Sequence, residues 1–243
     1  ILGQALGIAA FPTLATLAAR SAHREMRHIL SDSLRLILFL GLPATVLLML
    51  LAGPYVTVLF ERGLFDNEAT IMVATALQFY AVGLIALTTI EIVARAFYAL
   101  SDTLTPVLAG GFQILVMWTL SLWLRDVVFS AYGWPPLGAL ALGFSLSNIV
   151  EVMLLLWLVR RKLGGLNGHS LLSGLARMGA ASLAMAVAIS AVLLLLVSSA
   201  TWMHAIFGTA VGILAYLLVC WLLRVEELHQ FAAMLRRRLP GRK

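Results

Sequence analysis

An all-α, polytopic transmembrane bundle is the fold class this sequence predicts, and three observations predict it. Hydrophobic residues make up 62% of the 243 and charged residues only 12%, whereas a soluble domain is about half apolar and about a quarter charged. Apolar runs of roughly 20 residues, the length that spans a bilayer as a helix, occur seven times. They lie at about 2–19, 34–53, 70–94, 104–124, 136–159, 174–198 and 202–223. Most of the arginine and lysine in the connections falls on one side when these spans alternate. The net charge of +6 therefore reflects the sorting of cations to one face of a membrane, and nucleic acid is not an expected partner. One cysteine, Cys220, excludes a disulfide framework.

The first run carries Gly3 and Gly7 at GxxxG spacing and an internal Pro12, which predict close helix packing and a kink. Arg20–Asp32 is a charged amphipathic connector. The second run contains Gly41 and Pro43, a second expected kink, and continues past Pro54 as YVTVLF into a charged turn, ERGLFD. Gly63 breaks that turn. Asp66 or Asn67 caps the next helix, and Glu68 sits in its first turn, where the helix dipole favours negative charge. The third apolar stretch reads as unbroken from Glu68 to about Leu100. Near its end Glu91 and Arg95 stand at i,i+4 with the acid first, the better order for a helical ion pair. Asp102–Pro106 is a stop and restart, with Thr105 as N-cap and Pro106 at the first helical position.

Polar residues inside apolar spans are functional candidates by default. Glu151 is the clearest, preceded by Ser145, Ser147 and Asn148, and Asn148 shares its helix face. Two readings stand: a coupling-ion or proton site facing a cavity, or interhelical hydrogen bonds that order the bundle. Gln113 in the fourth run and Gln78 in the third carry the same pair of readings. No catalytic constellation and no metal motif is present, and the five histidines are scattered. After Arg160–Lys162 the flexible GGLNGHS loop is the best internal boundary. It divides a bundle (1–165) from a final helix pair (166–224), whose last member carries Gly208 and Gly212. A basic amphipathic tail (225–243) follows, with Leu228, Phe231, Leu235 and Leu239 on one side and Arg236–Arg238 at its end. This composition suits the surface of an anionic leaflet. The positive-inside rule puts Arg20, Arg24, Arg27, Arg95, Arg160–Lys162, Arg224 and the C-terminus in the cytoplasm. Gly63 and the 126–136 connection then face outward.

Three motifs stand in order at fixed spacing: Glu61, Arg62, Gly63, Phe65 and Asp66; then Arg95, Phe97 and Tyr98 within ARAFYA; then Asp102, Thr103, Thr105 and Pro106. Together they resemble the MurJ/MviN family of lipid II flippases in the MOP transporter superfamily. The resemblance covers the chain to about Leu166, and beyond that it rests on number, hydropathy and position of the spans. It implies a multi-pass protein of the bacterial cytoplasmic membrane that translocates the lipid-linked peptidoglycan precursor, lipid II, by alternating access. It implies membrane lipids and an N-terminal lobe as partners, a groove for the polyprenyl tail formed by the last two helices, and no enzymatic activity. By the same resemblance the chain begins partway through the family's eighth helix.

No cofactor is expected beyond a coupling cation, Na+ or H+. Some family members resemble a sodium-coupled design, and the matching positions here are Met117 and Ser121, which lack the Asn or Asp of that design. Arg95 is either a ligand for the substrate pyrophosphate or, with Glu91, an anchor for its helix end. Two alternatives are a related exporter of polyprenyl-linked polysaccharide or drugs, and a membrane enzyme acting on polyprenyl phosphates. The first would not need the paired ERGxFD and ARAFYA motifs, and the second would need more acidic residues than Glu61, Asp66 and Glu68.

Overall fold

A computed structural model describes residues 2–166 and 168–228. These residues form helices α1 (Leu2–Ala19), α2 (His23–Phe60), α3 (Asn67–Val82), α4 (Leu84–Ala99), α5 (Leu104–Trp123), α6 (Ser130–Tyr132), α7 (Pro136–Leu163), α8 (Gly168–Leu195) and α9 (Thr201–Leu222). Five helical segments are long and apolar enough to cross a membrane, six if α3 and α4 count as one bent span, and Gly7–Ala19 is a shorter apolar helix. The seven crossings expected from hydropathy thus become five or six by length, plus this shorter piece. The expected tail lies outside the described residues from His229 onward.

α2 is the spine of the fold. At 1.5 Å per residue its 38 residues run about 57 Å, well beyond a hydrocarbon core of roughly 30 Å. The charged connector is therefore part of this helix from His23 on, not a separate segment. The helix also runs through Pro43 and Pro54. Leu30, Leu34 and Ile37 of α2 are buried with Leu14 of α1, Phe97 of α4 and Leu155 of α7. Farther along, Phe39 and Leu51 are buried with Met185 of α8 and with Tyr216 and Cys220 of α9.

The small residues of α9 let it approach closely. A Cβ added at Gly208 would lie 2.9 Å from the Leu51 side chain, and one at Gly212 would lie 2.8 Å from Ile189. Polar clasps close the same contacts: the Tyr216 hydroxyl donates to the Phe39 carbonyl at 2.8 Å, and the hydroxyls of Tyr55 and Thr209 are 2.6 Å apart.

The stretch read as continuous from Glu68 to Leu100 is broken at Gly83, where α3 and α4 meet at 46°. No proline stands there. A Cβ on Gly83 would sit 2.8 Å from both the Cα and Oγ of Ser145. The Ser145 hydroxyl donates to the Phe79 carbonyl at 2.7 Å. Glycine thus admits α7 against the bend, and the serine satisfies a carbonyl at the end of α3 (a buried orphan there would be costly). The fourth span also runs past its expected end: a π-helical turn (Leu124–Phe129) continues α5 into α6, and Gly133 in the left-handed conformation ends it.

The restart after α4 differs in detail from expectation. α5 opens at Leu104, and Asp102 rather than Thr105 supplies the capping side chain. Its carboxylate accepts the Thr105 N–H at 3.0 Å and the Thr105 hydroxyl at 2.7 Å, so Pro106 falls at the third helical position. Asp102 also pairs with Lys162 at the end of α7. The Lys162 hydrogen bond first, then those from Thr105, hold the Asp102 carboxyl below its ordinary value, at about 2.

Candidate functional site

α7 carries the candidate site on two sides. Toward α5 it presents a polar seam. Ser147 and Asn148 are buried, and Gln113 and Glu151 are only 8% exposed. The Gln113 amide donates to Ser147 Oγ at 2.8 Å, and Ser147 in turn donates to the Phe144 carbonyl. Asn148 spends its amide on the same carbonyl at 2.7 Å, one turn back on its own helix. Glu151 faces the backbone of α5: a Cβ on Gly110 would stand 3.7 Å from its Oε1. It joins none of the ion pairs among the described residues. The helices meet closely at Gly143, where a Cβ would stand 2.2 Å from Ser121 Oγ and 3.0 Å from its Cα.

The sequence reading allowed a cavity-facing polar cluster. In the structure Gln113, Ser145, Asn148 and Glu151 are instead enclosed within the bundle, and Gln113 with Ser147 makes the interhelical hydrogen bond of the alternative reading. Polar side chains at this depth meet one another because lipid offers them nothing to bond. Ser145 belongs to the α3–α4 bend rather than to the seam. Gln78 donates to the Met49 carbonyl at 3.0 Å and ties α3 to α2. Ser121 is buried against α7 and Met117 is half-buried. Among the described residues no three His, Cys, Asp or Glu side chains converge as they would on a metal ion.

On another side α7 lines an apolar cavity of about 440 Å³. Leu34 and Leu38 of α2, Ile85 and Thr89 of α4, Val152 of α7 and Leu171 of α8 are among its walls. Thr89 is its one polar side chain among the described residues. Sequence reasoning could not single out these residues, because an apolar side chain lining a void has the same signature as one lining a core.

The motif residues mostly build turns. Asp66 caps α3 by accepting the Ala69 N–H at 2.9 Å, and Glu61 accepts the Thr70 hydroxyl at 3.1 Å. Arg62 folds back onto the Val58 carbonyl at 3.2 Å, and the rings of Phe60 and Phe65 lie 6.1 Å apart beside Gly63, whose φ is +61°. Arg95 pairs with Glu91 at 3.5 Å, donates to the Gln4 carbonyl at 2.9 Å and covers the bare backbone of Gly7. It clasps α1 to α4. Phe97 is fully buried while Tyr98 is exposed, and Thr103 is exposed just ahead of α5.

Comparison with known proteins fits this architecture. The family described as lipid II flippase MurJ matches residues 1–226. A "Probable lipid II flippase MurJ" of Rhizobium tropici is 36% identical over 129 residues, covering 53% of this chain and 24% of that protein. One of Bdellovibrio bacteriovorus is 25% identical over 231 residues, covering 94% of this chain and 43% of that protein. A solved structure titled "Lipid II flippase MurJ, inward closed conformation" shares the fold, with a TM-score of 0.67 at 24% identity over 85% of this chain and 40% of its own. The chain thus spans less than half the length of these proteins. All-helical among its described residues, with several helices long and apolar enough to cross a membrane and matched along nearly its whole length, it belongs to the lipid II flippase MurJ family.

Proposed function

We propose that this chain acts in the translocation of lipid II across the bacterial cytoplasmic membrane, as the C-terminal part of a two-lobed transporter. The observation that carries this reading is the apolar cavity between α2, α4, α7 and α8. An open groove walled almost wholly by hydrocarbon suits a long acyl or polyprenyl chain, and the matching family is described as a lipid II flippase.

Residues 1–165 then form the lobe that rocks against an N-terminal lobe, 166–224 form the helix pair that flanks the tail, and 225–243 form a basic surface segment. The ends that carry Arg27, Arg95, Arg160–Lys162 and Arg224 face the cytoplasm, as does the C-terminus. Alternating access needs one element that can change angle, and the Gly83 bend offers it beside both the cavity and Ser145. Arg95 and Glu91 hold α1 on α4 during that motion. Glu151, with Gln113 and Asn148 nearby, is the candidate for coupling to Na+ or H+. The work asked of the chain is movement of a lipid, not its chemical conversion.

The test is rescue of cells depleted of their own flippase by the complete protein containing this chain, read as lipid II accumulation. Rescue is expected, and persistent accumulation at normal membrane levels would contradict the proposal. Glu151→Gln should impair rescue without lowering protein level. Full rescue would remove Glu151 from the coupling role, and a matching loss of protein would assign it to the seam's structure.

A further inference from the structure

The end of α7 gathers arginines that join no ion pair among the described residues. Trp157, Arg160, Arg161, Gly164 and Gly165 line a second cavity, of about 440 Å³. The Arg161 guanidinium lies 3.8 Å from the centre of the Trp157 ring. Arg27 of α2 reaches the same place: its Nη1 donates to the Gly164 carbonyl at 3.4 Å and stands 3.5 Å from where a Gly165 Cβ would be. Arg27 Nε is buried there with no hydrogen-bond partner. Among the described residues none of these three arginines is in an ion pair, while the neighbouring Lys162 is held by Asp102. The arginine side chains are also not consumed in capping their own helix. The Arg160 and Arg161 carbonyls accept the N–H groups of Gly165 and Gly164, an arrangement that relies on positive φ at both glycines.

Two exposed arginines line this cavity and a third, whose Nε is a buried orphan donor, adjoins it, so an anion seated there would meet guanidinium groups from both α7 and α2. We infer that this cavity binds the phosphate of an anionic glycerophospholipid. The guanidinium fork matches phosphate oxygens two at a time. The cavity opens where a membrane-crossing helix ends, beside a tryptophan of the kind that sits at the headgroup level. Basic pockets between transmembrane helices take lipid headgroups by this chemistry. A lipid held there would brace the α7–α8 connection against α2. The inference stands apart from the proposed transport function, because it concerns a resident lipid rather than a cargo.

Native mass spectrometry of the full chain, with dioleoylphosphatidylglycerol, dioleoylphosphatidylcholine or inorganic phosphate added separately, tests it. Phosphatidylglycerol should bind in preference to phosphatidylcholine. Arg160→Gln/Arg161→Gln should weaken that binding roughly thirtyfold. Arg125→Gln, in an exposed pair with Asp126, should leave it unchanged. Arg160→Lys/Arg161→Lys keeps the charge and should stay within a few-fold of the parent, which separates lost binding from lost folding. Equal binding of the two lipids, full binding by the glutamine variant, or equal weakening by lysine and glutamine would overturn the site. Displacement of the lipid by equimolar inorganic phosphate would assign the cavity to a soluble anion and overturn the lipid.

Discussion

The side of α7 that faces α5 and the side that faces α2, α4 and α8 come from one helix and do opposite things. The first is sealed, with Gly143 against Ser121 and the Gln113–Ser147 hydrogen bond across it. The second leaves a void walled by leucine, isoleucine and valine. The difference teaches where polarity is useful inside a membrane. Helices in lipid gain no hydrophobic advantage from touching one another, so a tight seam needs small residues and hydrogen bonds. A purely apolar surface supplies neither, and is as content against a hydrocarbon chain as against another helix.

The sharpest way to break the sealed side is Gly143→Leu. Its Cβ alone would meet the Ser121 backbone, so the helices must part. We expect a loss of about 3 kcal/mol or more, read as a fall in thermal stability of the purified chain and in membrane level. Parent-like stability would mean that α5 and α7 do not meet this closely.

A milder cut sharpens the comparison. Gln113→Leu removes the interhelical hydrogen bond but leaves Ser147 bonded to Phe144, so the loss should be roughly 0.6 to 1 kcal/mol. A loss of several kcal/mol would show that the seam acts as a cooperative network. An unchanged midpoint would leave close packing alone to hold it.

The smallest effect concerns the α7 end. Asp102 titrates below its ordinary value of 3.8 in the folded chain, at about 2. Its contribution is present above the ordinary value and is lost as pH falls from about 4 toward 2. The group lies near the surface, so the change should stay below about 1 kcal/mol. Thermal midpoints across that range should fall more steeply for the parent than for Asp102→Asn, and parallel curves would remove the pair from the stability balance.

These contrasts also mark what a linear reading can reach. The Asp66 cap and the Glu91–Arg95 pair are local, set by residues within one turn, and both were legible, as was the bundle from its apolar runs. The bend at Gly83 was not, because it depends on Ser145 arriving from a distant helix. Pro43, where a kink is expected, and Pro54 both lie within one helix. The polar residues of the seam were legible as a set, but which of them meet was not. Gln113 finds Ser147 through the docking of α5 on α7, which no spacing within either helix encodes. The cavity was invisible for a plainer reason: its lining residues are ordinary membrane residues, and only packing shows that they fail to touch.

The most direct measurement bearing on the proposed function is lipid II translocation in vesicles by the complete protein carrying Ala86→Phe. Ala86 is buried on the cavity wall, and a phenyl group there fills hydrocarbon space while leaving the seam, the Gly83–Ser145 contact and every charged residue untouched. Translocation should fall at least tenfold while thermal stability holds or rises. Translocation at the parent rate, with the cavity shown to be filled, would contradict a role for this side of α7 in holding the lipid.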